Sequence, residues 1–374
     1  MVLEELGKRI LFFDGAMGTQ LLAAGVAQGE RPEMWNLTHE EAVRDIHLRY
    51  LRAGADLLTS NTFGINALRF AQDQVEQLTA RAVRIARDAC RLTGRGAVAL
   101  DMGPTGRMLE PYGDLGFERA VELYAQVARA GESAGADCVL IETMADAYEL
   151  KAAVLGAKEG CGLPILATVT VDEAGRLLTG ADLPTVAALL EGLGVRALGL
   201  NCGLGPRQME GLLAQLRQVC SLPIIVQPNA GLPRQEGERV VYDVDAEGFA
   251  RSLERICEGG AWIVGGCCGT TPEHIQRAVA ACRAVAPRPL PERRRTVITS
   301  GRRAVALGER TCVVGERINP TGKPALEQAL RAHDMDELLD EADAQAESGA
   351  DVLDVNVGLS QVDEAALLGE AVQA

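Results

Sequence analysis

The chain has 374 residues, of which 47% are hydrophobic, 24% are charged and only 3% are aromatic. Its formal net charge of −15 and its few aromatic rings argue against binding to phosphate backbones or stacked bases, so nucleic acid is not an expected partner. The sequence contains neither a signal peptide nor the run of about 20 apolar residues that a membrane helix needs, so we expect a cytoplasmic protein without a membrane partner.

A helix-like segment that ends in glycine and leads into a short apolar run recurs along the chain. Ala-Gly-Ala-Asp occurs at residues 53–56 and 134–137, Gly-Gly-Ala-Trp at 259–262 and Ser-Gly-Ala-Asp at 348–351. Glycine supplies the left-handed residue that ends a helix, and an uninterrupted apolar run is typical of a parallel strand buried on both faces. The phrase therefore predicts the helix-to-strand joint of a βα repeat.

Eight such runs occur before residue 290, and they predict eight strands. The runs are Ile10–Phe13, Asp56–Ser60, Ala97–Asp101, Cys138–Glu142, Ile165–Val169, Ala197–Asn201, Ile224–Gln227 and Trp262–Gly265. A (β/α)8 barrel commonly takes about 250 residues, so we predict an α/β fold with a TIM barrel over residues 1–290. A doubly wound open sheet is the alternative, but no GxGxxG follows the first run.

The remaining residues predict a linker and the beginning of a second domain. Prolines and arginines, including Arg293, Arg294 and Arg295, predict an extended linker over residues 291–310. Residues 311–374 contain a predicted strand at Cys312–Gly315, a helix over about 334–347 and a strand at Val352–Val355. Two βα units cannot close a barrel, so we predict an incomplete second βα barrel whose apolar strand faces stay exposed.

Polar side chains and thiols follow the predicted strands of the first barrel. Functional groups of a (β/α)8 barrel lie at the carboxyl ends of its strands, so these residues are expected to converge on one rim. They are Asp14, Asn61, Glu142, Cys202, Asn229, Cys267 and Cys268.

Three thiols on one rim predict a catalytic zinc site. Three thiolates suit Zn²⁺ and leave a fourth position open, and a soft, ionisable thiol is the substrate such a site prefers. Structural roles without a metal stay open as alternatives. Two cysteines beside glycines can be packed small residues, and the usual CxxC and HxxxH spacings are absent. Asp14 could cap the following helix, and Glu142 could pair with an arginine.

These residues lie in six motifs that resemble the homocysteine-binding domain of the homocysteine S-methyltransferase family. The motifs are DGAMGTQL (14–21), NTFG (61–64), IETM (141–144), NCG (201–203), QPNAGLP (227–233) and GGCCGTTPEHI (265–275). The resemblance covers residues 1–290 and implies that Cys202, Cys267 and Cys268 hold zinc. It also implies that Asp14 and Glu142 lie near the amino group of homocysteine, with Asn61 and Asn229 as rim supports.

The segments VGERINPTGKP (314–324) and ADVLDVNVG (350–358) resemble the opening of a pterin-binding barrel. The matching positions imply pterin contacts from Glu316, Asn319, Asp354 and Asn356. This domain order is that of the cobalamin-dependent methionine synthases, which implies methyl transfer from methylcobalamin that is regenerated by 5-methyltetrahydrofolate.

A DxHxxG cobalamin-binding motif is absent from the sequence, so the cobalamin would sit on a module outside this chain. Two alternatives remain open at this point. The first is a cobalamin-independent enzyme that uses S-methylmethionine or betaine, and the second is a module that binds metal without catalysis.

Overall fold

The computed structural model describes residues 2–27, 29–236, 239–292 and 295–374. The chain divides into two compact units near residue 293, with Thr299–Arg303 grouped with the first unit. Arg293 and Arg294 of the predicted linker lie outside the described residues. Among the described residues, no helix is long and apolar enough to cross a membrane.

The first unit contains the predicted barrel of eight parallel strands. The strands are β1 Leu11–Phe12, β2 Leu57–Thr59, β3 Ala97–Met102, β4 Cys138–Met144, β5 Ile165–Val169, β6 Ala197–Asn201, β7 Ile224–Gln227 and β8 Ile263–Val264. In the sheet they follow the order β1-β8-β7-β6-β5-β4-β3-β2, and a parallel bridge between Phe13 and Leu57 joins β1 to β2. The prediction of a TIM barrel is confirmed.

Side chains alternate along these strands between the barrel interior and the layer under the helices. In β1, Leu11 points into the interior cluster, whereas Phe12 belongs to the cluster that packs against the helices. Both are buried, because both faces of a parallel barrel strand are covered. The interior is tight, since a Cβ on Gly199 of β6 would lie 1.8 Å from the Ile225 carbonyl oxygen.

Helices connect the strands and cover the outside of the barrel. The α-helices of the first unit are Met17–Ala24, Trp35–Thr38, Glu40–Ala53, Gln72–Thr93, Phe117–Ala134, Ala147–Gly160, Leu183–Gly192, Pro206–Val219, Ala246–Gly259 and Pro272–Cys282. Short 3₁₀ helices occupy Val2–Glu5 and Pro32–Met34, and an antiparallel pair, Arg234–Glu236 with Arg239–Val241, follows β7. The predicted glycine joints are confirmed, with φ of 110° at Gly54, 96° at Gly135 and 111° at Gly260.

The second unit contains two parallel strands, Val314–Ile318 and Val352–Val355, with helices Pro324–Arg331, Asp336–Glu347 and Glu364–Gln373. Its small core includes Ile318, Leu330 and Leu367. The predicted exposure of apolar strand residues is confirmed in the first of these strands, where Val314 is 54% exposed.

The segment predicted as an extended linker contains regular structure. Thr296–Thr299 pairs with Ala304–Leu307 in a two-stranded sheet, and Ser300 N donates to Arg303 O across the turn. The prolines and arginines of this segment predict extended backbone, but the short apolar stretches at residues 297–298 and 304–307 form paired strands.

Candidate active site

One cavity of about 230 Å³ opens at the carboxyl ends of the barrel strands. It is lined by side chains from the ends of β1 to β4 and β6 to β8 and from the loops beyond them. Its chemically active lining residues are Asp14, Glu33, Thr59, Asn61, Asp101, Glu142, Cys202, Gln227, Cys267 and Cys268.

Three thiols meet at one side of this cavity, and we call Cys202, Cys267 and Cys268 the thiol cluster. Their sulfur atoms all lie within 4.8 Å of one another, and Cys202 Sγ is 3.9 Å from Cys268 Sγ. Cys202 follows β6, and the other two follow β8. Tetrahedral zinc with Zn–S bonds of about 2.3 Å places its sulfur ligands about 3.8 Å apart, so the cluster fits that geometry.

The backbone around Cys202 is held in a strained conformation. Cys202 has a φ of 55°, in the left-handed region that residues other than glycine rarely adopt. Cys202 N donates to Gln227 O at 3.1 Å, and Leu204 N donates to Cys202 O at 2.7 Å. These two bonds fix the turn that directs the Cys202 side chain toward the other two thiols, at a cost of about 1 kcal/mol or more.

The loop that carries Cys267 and Cys268 is bound tightly to its surroundings. Gly266 N donates to Asp14 O at 3.0 Å, and Thr270 Oγ1 donates to Cys267 O at 2.7 Å. A Cβ on Gly266 would lie 2.4 Å from Thr270 Oγ1, so glycine is required for this close approach. The loop therefore holds its two sulfur atoms in place before any ligand arrives.

The thiols of the cluster differ in how easily they lose a proton. Hydrogen bonds from Cys202 and Cys267 lower the pKa of the Cys268 thiol to about 3. The hydrogen bonds that Cys267 makes to Cys202 and Cys268, together with burial, raise the pKa of Cys267 well above its usual value. A buried cluster of this kind attracts a cation that can replace the remaining protons.

Carboxylates from other strands line the rest of the cavity, and we call Asp14, Glu33, Asp101 and Glu142 the carboxylate wall. Burial raises the pKa of Asp14 even though Thr59 donates to both of its oxygens, from the backbone N at 3.0 Å and from Oγ1 at 3.1 Å. Burial and then the nearby Cys202 raise the pKa of Glu142 to about 8. The wall is therefore an environment that favours a bound cation.

Asn201 connects the carboxylate wall to the thiol cluster. This fully buried side chain accepts hydrogen bonds from Thr143 N at 2.8 Å and Thr168 Oγ1 at 2.9 Å. Its amide nitrogen donates to Glu142 Oε2 at 3.2 Å and to Thr143 Oγ1 at 2.8 Å. Asn201 immediately precedes Cys202. Its side-chain amide therefore both orients Glu142 and anchors the end of β6, which Cys202 follows.

A sequence model of the family described as Homocysteine S-methyltransferase matches residues 11–282. The chain belongs to this family. It is 35% identical over 383 residues to a methionine synthase of Mycobacterium leprae (strain TN), a match that covers 95% of this chain and 32% of the relative. A methionine synthase of Mycobacterium tuberculosis (strain ATCC 25618 / H37Rv) is 34% identical over 381 residues, with the same coverage. The chain thus spans about a third of the length of these relatives.

Solved structures of the homocysteine methyltransferase MmuM from Escherichia coli share the barrel. The metallated form aligns with a TM-score of 0.63 and 27% identity, covering 75% of this chain and 98% of MmuM. The oxidised form aligns with a TM-score of 0.64, also at 27% identity, covering 75% of this chain and 99% of MmuM. The match to the homocysteine S-methyltransferase family thus falls within the first of the two units.

Of the seven residues predicted from this family's motifs, six line the cavity, and Asn229 is not among its lining residues. Asn61 lines the cavity, but its amide nitrogen is bonded to Pro32 O at 2.9 Å and Asn36 Oδ1 at 3.0 Å, so it ties two loops together. Asn229 is 2% exposed and donates its backbone N–H to Leu204 O at 3.0 Å. Its Oδ1 is buried and accepts no hydrogen bond from any described residue.

Two carboxylates of the cavity, Glu33 and Asp101, were not predicted. Asp101 is the last residue of the predicted third strand, so the criterion that selected Glu142 applies to it equally. Glu33 lies in the 3₁₀ helix Pro32–Met34. Nothing in the sequence around Glu33 marks it as a cavity residue, because its placement depends on how the loop after β1 folds back over the barrel.

The predicted pterin contacts of this family member lie on the two parallel strands of the second unit. Asn319 and Asn356 follow the carboxyl ends of these neighbouring strands, and Asn356 N donates to Ile318 O at 2.9 Å. Each asparagine Oδ1 accepts a hydrogen bond from a backbone N–H two residues later, at Thr321 and Gly358. Glu316 and Asp354 lie within the strands and are exposed.

Proposed function

We propose that the thiol cluster holds Zn²⁺ and that this site activates homocysteine for methylation to methionine. The observation that carries the proposal is the meeting of three thiols within 4.8 Å at the mouth of a small cavity. Cys202, Cys267 and Cys268 would supply three ligands and leave one position for the substrate sulfur. Zinc bound there would lower the pKa of the substrate thiol, so that the sulfur reacts as a thiolate at neutral pH.

The rest of the cavity suits the amino acid part of homocysteine. Asp14 and Glu142 supply carboxylates for the α-ammonium group. Residues 15–19, at the start of helix Met17–Ala24, line the cavity, and no side chain caps this helix at Ala16. Its backbone N–H groups are suited to the α-carboxylate, because a helix N-terminus favours negative charge.

We propose methylcobalamin as the methyl donor, carried on a module outside this chain and regenerated by 5-methyltetrahydrofolate. Support comes from how much of this chain is matched by the methionine synthase sequences and by the MmuM structure. The relatives named methionine synthase match 95% of this chain, which includes the second unit, whereas MmuM covers 75%. In this proposal Glu316, Asn319, Asp354 and Asn356 contact the pterin.

A second candidate is a cobalamin-independent methyltransferase that uses S-methylmethionine or betaine. It is favoured by the alignment of the barrel with 98% of the homocysteine methyltransferase MmuM. In this case the second unit would contribute nothing to turnover. Methylcobalamin, S-methylmethionine and betaine, offered one at a time, distinguish the candidates by which of them yields methionine.

Metal content tests the site itself. We expect one zinc ion per purified chain, lost in Cys267→Ala and in Cys268→Ala because two thiolates bind zinc far more weakly than three. Cys161→Ala is the matched control, because Cys161 lies at the end of helix Ala147–Gly160, where its thiol donates to Ala157 O at 3.2 Å, and it does not line the cavity. Elemental analysis gives the stoichiometry, and zinc that persists in both site variants would remove the proposal.

A further inference from the structure

Two members of the carboxylate wall each have one buried oxygen without a hydrogen-bond donor among the described residues. Glu33 is 5% and Asp101 is 6% exposed, and both line the cavity. Glu33 Oε2 and Asp101 Oδ1 are buried and accept no hydrogen bond from any described residue. Glu33 uses its other oxygen to accept from Gly64 N at 2.9 Å, which fixes the carboxylate in place. Burial of a carboxylate oxygen without a hydrogen-bond donor costs free energy. A ligand that donates to these two oxygens would therefore be bound favourably.

The other two members of the wall already accept hydrogen bonds from neighbouring side chains. Both oxygens of Asp14 accept from Thr59, and Glu142 Oε2 accepts from Asn201. An ammonium group has three N–H donors and no acceptor. Glu33 and Asp101 therefore add acceptors for such a group to those of the pair that the family motifs point to.

The order of strands places Asp101 across the barrel from the thiol cluster. In the ring of eight strands, β3 lies opposite β7, and β7 is flanked by β6 and β8, which precede the three thiols. Asp101 is part of β3. A substrate whose sulfur lies at the thiol cluster must direct its other end away from β6 and β8, and so toward the wall that contains Asp101 and Glu33.

We propose that Asp101 and Glu33 complete the binding site for the α-ammonium group of the substrate and thereby restrict the enzyme to thiols that carry an amino group. This inference rests on the proposed function, because it takes the thiol cluster as the site of the substrate sulfur. Charge supports it: burial and then the carboxylates of Glu142, Asp14 and Glu33 raise the pKa of Asp101, so a cation placed among them relieves mutual repulsion.

Three thiols separate the contribution of the ammonium group from that of sulfur. Homocysteine has both an amino and a carboxyl group, 3-mercaptopropylamine lacks the carboxyl group, and 4-mercaptobutyrate lacks the amino group. Their affinities for the zinc-loaded full chain are measured by calorimetry, without a methyl donor. In Asp101→Asn and in Glu33→Gln we expect homocysteine and 3-mercaptopropylamine to bind about tenfold to a hundredfold more weakly, with 4-mercaptobutyrate unchanged within about twofold.

Glu173→Gln is the matched control, because Glu173 is an exposed acid on the loop that follows β5 at the same end of the barrel. Equal losses for all three thiols, or no loss in either variant, would overturn the assignment of Asp101 and Glu33 while leaving the zinc site intact. If the wild-type chain binds none of the three thiols, the proposed function itself fails, and this inference fails with it. Zinc content and the far-ultraviolet circular dichroism of each variant identify a loss that comes from misfolding.

Discussion

His47 is a fully buried histidine in helix Glu40–Ala53, and neither of its ring nitrogens has a hydrogen-bond partner among the described residues. Burial lowers the pKa of its imidazole from 6.5 to about 3. The unfolded chain therefore takes up a proton near pH 6.5, and the folded chain does not until about pH 3. The contribution of His47 to stability is complete above pH 6.5 and is lost as the pH falls toward 3.

We predict that His47→Leu makes the chain less sensitive to acid. One pKa unit corresponds to about 1.4 kcal/mol, so between pH 7 and pH 4.5 the wild type should lose about 2 to 3 kcal/mol more unfolding free energy than the variant. Urea unfolding at the two pH values measures this difference. His39→Gln is the control, because His39 is exposed. The same loss in His47→Leu as in the wild type would show that His47 does not limit acid stability.

Asp101 and Glu142 show how far single residues could be predicted. Both end predicted strands and both line the cavity, yet only Glu142 lies in a motif of recognisable family type. The thiol cluster was predictable because strand ends of a parallel barrel converge. Hydrogen-bond partners were not predictable, since the four bonds of Asn201 depend on the spacing of three neighbouring strands.

At the scale of elements, glycine ends several helices in the left-handed conformation just before a strand begins. Gly135 has a φ of 96°, and a Cβ there would meet nothing closer than Arg87 Nε at 4.0 Å. The cost of a side chain at this position is thus conformational and not steric. Gly211 differs, because it lies inside helix Pro206–Val219 and a Cβ would meet nothing within 4 Å.

We predict opposite effects of alanine at these two glycines. Gly135→Ala should destabilise the chain by about 1 kcal/mol, since an L-residue pays this much in the left-handed region. Gly211→Ala should stabilise it by about 0.5 kcal/mol, because alanine loses less conformational entropy in a helix. Denaturant unfolding of both variants beside the wild type decides the signs. A neutral Gly135→Ala would mean that the helix end relaxes into another conformation.

The helix-to-strand joints of the barrel were more predictable than residues 291–310, which follow the barrel. Each joint combines a glycine in the left-handed conformation with an apolar run, and a few consecutive residues of the sequence contain both. The pairing of Thr296–Thr299 with Ala304–Leu307 is different, because each strand has only four residues and neither follows a helix that ends in glycine. Strand ends shifted for the same reason in the second unit, where Cys312–Gly315 was predicted and Val314–Ile318 was found.

At the scale of the whole molecule, the two units differ in how completely they bury their apolar residues. The first contains a full ring of strands covered by helices. All residues that line the cavity at the carboxyl ends of these strands come before Gly269. The second has one pair of parallel strands, and apolar residues within it, such as Val314 and Leu353, are exposed. An exposed pair of strands contributes little burial free energy to its unit. Removal of the second unit should therefore leave the folding of the first unit unchanged.

We predict that a chain ending at Glu292 keeps the zinc content of the full chain and binds homocysteine with an affinity within about twofold. It retains both hydrophobic clusters of the barrel and the helix Pro272–Cys282, whose residues Ile275 and Cys282 are buried. Removal of that helix as well, in a chain ending at Thr271, should abolish folding, because several large buried contacts are lost at about 2 kcal/mol or more each. Metal analysis, calorimetry with homocysteine and circular dichroism compare the two truncations with the full chain. Loss of zinc from the longer truncation would mean that the second unit supports the site, and the two units could not then be treated as independent.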